Sequence, residues 1–179
     1  KMGEALKIVA ELQGSINEAG EKCVKAADEA VLDLESLSKS RDYEAAIGKF
    51  ETVILVNKDA LESFKAFRPT LAKRLDEIGF TGDERKGFNR GIDKKWTTTL
   101  ELVEVVRNAD IKTGEIGMMI MKGLQKGDAY WTWDENKGHA IFQTDEQVDW
   151  YNKHIEEIQE LGQTQMKAQE KLLQHMKAP

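Results

Sequence analysis

The residues with the means to do chemistry in this chain are few and scattered. Cys23 is the single cysteine, and the histidines stand at 139, 154 and 175, none at ligand spacing from another. A carboxylate-bridged di-iron centre in a helical bundle needs a Glu-x-x-His pair on each of two helices, and no such pair occurs. Asp149 precedes His154 by five positions, the wrong turn for a shared helical face. The many carboxylates are spread as solvated faces, with no pair set apart for acid and base work. Gly87-Phe-Asn-Arg-Gly91 and Gly123-Leu-Gln-Lys-Gly127 follow no strand, so neither resembles a phosphate loop; close helix contacts or helix ends explain both. No catalytic set, cofactor or metal site is therefore expected.

Two binding features remain. Tyr130, Trp131, Phe142, Trp133, Trp150 and Tyr151 crowd the stretch from 130 to 151, and large amphipathic rings suit contact with a partner. On a strand, Trp131 and Trp133 share one face opposite Tyr130 and Thr132, so one face can cap a core while the other looks outward. The candidate partner-contact residues are Tyr130, Trp131, Trp133, Trp150 and Tyr151. Arg85, Lys86, Arg90, Lys94 and Lys95 form a short basic segment, with Phe88 and Trp96 beside it, that could touch an anionic surface, although Asp83, Glu84 and Asp93 dilute it.

The elements that must position these residues are helices. Charged residues make up 32% and hydrophobic ones 40%, with only two prolines, as suits amphipathic helices. A net charge of -6 argues against nucleic acid, which needs a wide basic face. One cysteine allows no internal disulfide, and no run approaches the roughly 20 apolar residues of a membrane span. The chain opens in mid-pattern, as would a sequence whose targeting segment, if any, has been removed.

A stripe from Val9 through Ile16, Cys23, Ala30 and Leu34 to Leu37 predicts one helix over about 3–37, with Cys23 packed in the core as a small hydrophobe. "SLSKSRD" interrupts it. A second helix, about 42–78, carries Tyr43, Ile47, Phe50, Ile54, Leu61 and Leu75. Pro69 should kink it, and Asn57 falls where its stripe should continue, as a polar residue able to fix register. Gly79 is a stop. Thr81 and Glu84 form a capping-box pattern opening a third helix, about 82–126, which the poor helix formers between Asn108 and Gly117 could break. A β-hairpin over about 129–143, turning near Asn136-Lys137-Gly138, precedes a second capping box, Thr144 with Gln147. The last helix, about 145–177, carries Val148, Tyr151, Ile155, Ile158 and Leu161, with Leu172 and Met176 further on. The expected fold is all-α: one domain over 1–179, an elongated up-and-down four-helix bundle with a short β-hairpin between the third and fourth helices.

From Gly127 to Ile155 the order "GDAY…HAIFQTDEQVDWYNKHI" resembles the C-terminal part of a group of uncharacterised Gram-negative cell-envelope lipoproteins. The matching residues are Ile141, Phe142, Thr144, Gln147, Tyr151, Asn152, Lys153 and Ile155. The resemblance implies the periplasm or cell envelope, with possible membrane anchoring by an N-terminal lipidated cysteine that would precede Lys1, and carries no activity with it. Function is therefore expected to be that of a non-enzymatic binding or scaffolding module, contacting a protein or envelope component through the aromatic hairpin. The alternative is a membrane-active helical protein whose hairpin or basic segment engages lipid, against which stands the charged tip "DENKG".

Overall fold

The computed structural model describes residues 1–127 and 130–177, the side chain of Met176 excepted. Ala129, the expected first residue of the hairpin, and the Met176 side chain, expected on the last stripe, lie outside what is described. Among the described residues, five helices and one hairpin follow in the order α1 (Met2–Glu29), α2 (Leu34–Ser40), α3 (Tyr43–Glu77), α4 (Gly82–Lys126), β1 (Trp131–Asp134), β2 (His139–Phe142) and α5 (Asp145–Lys177). The fold is all-α with a two-stranded antiparallel hairpin before the last helix.

The expected single first helix is two. α1 stops at Ala30, whose backbone leaves the helical region at φ -96° and ψ 64°, and α2 restarts at Asp33. The Asp33 carboxylate accepts from the backbone N–H of Ser36 at 2.9 Å and from its hydroxyl at 2.6 Å, satisfying an orphan donor of the new helix. The break turns Leu34 and Leu37 away from the α1 axis and onto the hairpin, where both are buried.

The other expected break, between 108 and 117, is absent: α4 runs unbroken for 45 residues, about 67 Å. Its poor helix formers serve packing instead. A Cβ at Gly114 would meet the Ile54 side chain at 2.9 Å, and one at Gly117 would collide with the Phe50 ring, so these glycines let α3 approach. α3 holds Pro69 within its continuous span, as the expected second helix did. It ends in a Schellman arrangement, with Gly79 at φ 61°, its N–H donating to Asp76 and the Phe80 N–H donating to Leu75. Thr81 caps α4 by backbone position alone, without the side-chain bond that a capping box makes. Thr144 and Gln147 do make the reciprocal bonds, at 3.4 and 3.3 Å.

Contacts between the long helices give each pair an antiparallel sense. Lys1 reaches Gly79 and Cys23 reaches Val56 between α1 and α3; Arg107 meets Asn57 and Trp96 stacks on Phe67 between α3 and α4; His154 meets Met119 and Gln165 meets Asp110 between α4 and α5. α1 and α5 stand apart, leaving a groove of about 580 Å³ over α3 and α4.

Two apolar clusters fill the interior. One joins Leu71, Leu75, Phe67, Phe80 and the start of α1 to Phe88, Ile92 and Trp96. The other joins α2, Tyr43, Ile47 and Phe50 to Ile116, Ile120, Leu124 and the hairpin. Between them lies a polar layer. Asn57, buried, donates to the Val53 carbonyl at 2.9 Å and accepts from Arg107 at 2.7 Å; Arg107 also pairs with Asp110 at 3.3 Å, which accepts from Gln165 at 2.7 Å. The Cys23 thiol, buried beside this layer, donates to the Val56 carbonyl at 3.4 Å.

Candidate functional site

The hairpin is short, and its register decides which side chains face inward. Trp131 pairs with Phe142 and Trp133 with Ala140, so these four share the face toward the helices, while Tyr130, Thr132 and Ile141 look outward. The turn rests on Asp134: its carboxylate accepts from the N–H groups of Asn136 and Lys137, and its carbonyl accepts from Gly138 at 2.8 Å. Gly138 alone of the turn takes a positive φ, 65°; Asn136 does not need one.

The five candidate aromatics divide by depth. Trp131 is 2% exposed, its indole N–H donates to the Tyr43 hydroxyl at 3.1 Å, and the Arg41 guanidinium lies 4.9 Å above its ring. It is a buried latch, closed to any partner while the hairpin is docked. Trp150 is half-buried in a notch that only a glycine permits, because a Cβ at Gly123 would strike its ring. Gly123 is thus the close helix contact expected of it, and Gly127 the helix end; Gly87 and Gly91 meet nothing within 4 Å. Tyr130 is 52% exposed on the outer face.

Trp133 and Tyr151 meet at a cavity. Tyr151 packs against Phe142 with centroids 5.3 Å apart, and the three rings wall a recess of about 540 Å³. Leu32, Asp33, Leu34 and Glu35 close the opposite side, with His139, Val148 and Asn152 at the margin. Burial pushes the Tyr151 phenol above its ordinary value, so its hydroxyl stays protonated and can donate. The Ser36 hydroxyl and then the Ser36 backbone N–H hold the Asp33 carboxyl below its usual range, so it is ionised. Glu35 pairs with Lys39 at 2.8 Å, and Lys39 reaches Glu135 of the turn at 3.6 Å. The recess offers apolar walls, one hydroxyl donor and a negative rim.

The connector wall was not foreseen, because the stripe through Ala26, Ala30, Leu34 and Leu37 keeps helical spacing across the break. Asp33 followed three positions later by Ser36 was the available signal.

The basic segment does not act as a unit. Arg85 is turned inward, pairing with Asp76 and donating to the carbonyls of Ala72 at 3.2 Å and Phe80 at 3.4 Å, so it ties α4 to the end of α3. Lys86, which pairs with Asp83 at 2.9 Å, and Arg90 and Lys94 follow at successive turns on one exposed face; Lys95 is exposed beside them. Phe88 and Trp96 belong to the core, Phe88 edge-on to Phe80 and Trp96 stacked 4.0 Å from Phe67. Among the described residues, no group of three or more His, Cys, Asp or Glu side chains gathers at metal-binding geometry. His154 is buried with Nδ1 donating to the Trp150 carbonyl at 2.7 Å and Nε2 against the Met119 sulfur. No helix among the described residues is long and apolar enough to cross a membrane.

No family model, curated protein or solved structure matches the chain.

Proposed function

We propose that this protein is a non-enzymatic binding or scaffolding module of the bacterial cell envelope, engaging its partner through the recess at the hairpin end. The observation that carries this reading is the half-exposed pair Trp133 and Tyr151, which with Phe142 wall a concave space of about 540 Å³. Aromatic side chains gathered in a recess give large contact area with little rotamer entropy to lose, the composition of binding hot spots. Trp131 and Trp150 serve the recess indirectly by fixing the hairpin and α5 behind it. In this reading α2 is a short adaptor, and the four long helices form an up-and-down bundle that presents the recess at one end.

The envelope assignment rests on the resemblance over residues 127–155, whose matched positions include Phe142, Tyr151 and Asn152 of the recess and Thr144 and Gln147 of the cap beneath it. The charged hairpin tip, Asp134 to Lys137, opposes insertion into lipid.

The test is capture from a Gram-negative envelope extract on immobilised protein, comparing the native chain with Trp133→Ala. The expected result is a partner retained by the native chain and lost from a variant that keeps its thermal transition. Equal capture by both would overturn the recess as the contact site.

A further inference from the structure

We infer that the hairpin-end recess takes a cationic group on an apolar stem, the chemistry of a quaternary ammonium or of a lysine side chain presented by a peptide. This deepens the reading of the recess as the binding site and rests on it.

Three observations point the same way. The recess has aromatic walls, Trp133, Phe142 and Tyr151, and the faces of such rings attract cations through their quadrupole. Its carboxylates are Asp33 and Glu35, and among the described residues no lysine or arginine lines it, His139 being its one basic side chain. Two lysines beside it, on α2 and in the hairpin turn, are engaged in ion pairs. Lys39 is shared between Glu35 and Glu135, and Lys137 sits 3.7 Å from Asp134, so three carboxylates share two ammonium groups, and Asp33 adds a fourth carboxylate at the recess.

The geometry of the rim suits a cation better than an anion or a neutral polar ligand. The Asp33 carboxylate is pinned by both Ser36 donors, and Leu32, Leu34 and Val148 supply the apolar surface along which an alkyl stem can lie. The same cation–aromatic contact exists one step along β1, where Arg41 covers Trp131. An anionic ligand would have to approach both rim carboxylates, with no lysine or arginine among the described lining residues and His139 the one basic side chain there to meet it.

The test is titration of the full chain with choline and with Nα-acetyl-lysine methylamide, followed by the indole N–H resonances of the four tryptophans in a 15N-labelled sample. 3,3-Dimethyl-1-butanol, the uncharged isostere of choline, and an N-acetylglucosamine disaccharide serve as comparisons. The expected result is a saturable shift confined to Trp133, with a preference for choline over its isostere of about tenfold or more, as for one desolvated cation–aromatic contact. Glu35→Gln and Tyr151→Leu should each weaken it, while Tyr130→Ala, on the outer face, should not; with two independent variants the outcome does not hang on either one folding. Equal binding of the isostere, or tighter binding of the disaccharide, overturns the cationic class and leaves the recess as a binding site. No shift with any probe also overturns it, and the recess reading is then judged by the extract capture alone.

Discussion

The indole N–H of Trp131 donates to the hydroxyl of Tyr43 at 3.1 Å, joining residues 88 positions apart and fastening the hairpin to the start of α3. A two-stranded hairpin is marginal alone, so this bond and the burial of the ring hold the recess in shape. Trp131→Ala should cost about 3–5 kcal/mol, the range for large buried aromatics. Trp131→Phe should cost less, because it keeps most of the buried ring and Tyr43 still accepts from Arg41 at 3.1 Å. Trp133→Ala, half-exposed, should cost less than Trp131→Ala in urea unfolding. Equal costs at 131 and 133 would erase the distinction between latch and wall.

The glycines of α4 should split into opposite classes. Gly117→Ala and Gly123→Ala place a methyl against Phe50 and Trp150, and overpacking of this kind costs about 1–3 kcal/mol. Gly87→Ala and Gly91→Ala meet nothing within 4 Å in an exposed helix, so each should stabilise by about 0.5–1 kcal/mol through helix propensity. Chemical denaturation of the four variants checks the signs. Destabilisation at 87 or 91 would mean that exposed segment is held by something other than its own helix.

Asp110 should make stability depend on pH in the sense opposite to an ordinary ion-paired carboxylate. Burial lifts its carboxyl above the usual 3.8 against the pull of Arg107, so the folded state keeps a proton that the unfolded state has released. Between the ordinary and raised values this group's contribution therefore falls as pH rises. Asp110→Asn should gain stability relative to the native chain as pH rises from 3.8 through that window, and the difference should flatten below it. Paired urea titrations across pH check this; a variant that loses ground as pH rises would show that the bond to Arg107 outweighs burial.

Cys23 should react slowly. It is 2% exposed, and burial raises its thiol above the ordinary value although Arg107 nearby pulls the other way, so little thiolate forms. A thiol reagent should modify it slowly in the native protein and completely after denaturation. Rapid native labelling would mean that α1 does not stay packed against Val56.

What could be read in advance follows the range of each signal. Much local chemistry was legible: the Thr144 and Gln147 box, the Gly79 stop and the Cys23 stripe all depend on neighbours within a few turns, although the same local pattern at Thr81 and Glu84 forms no side-chain cap. Signals set by distant contacts were not. The stripe stays in phase through residues 30–33, so spacing hid the break that builds one wall of the recess. Gly114 and Gly117 weaken an isolated helix, yet α4 continues because Phe50 and Ile54 of α3 need the room. Strand alternation placed Trp131 and Trp133 on one face correctly but says nothing of depth, and only the packing of Tyr43 and Arg41 separates the buried ring from the accessible one. Asn57 was visible as a polar interruption; its partner Arg107, 50 positions away, was not.

Photo-crosslinking in cells that naturally produce the protein tests the central claim most directly. A benzophenone side chain would be placed at His139 or Asn152 on the margin of the recess, and at Arg90 on the exposed face near the other end of α4. The prediction is a discrete adduct from positions 139 and 152 that disappears when Trp133→Ala is added, with none from position 90. An adduct from position 90 and none from 139 or 152 would contradict it and place the contact surface at the basic end instead.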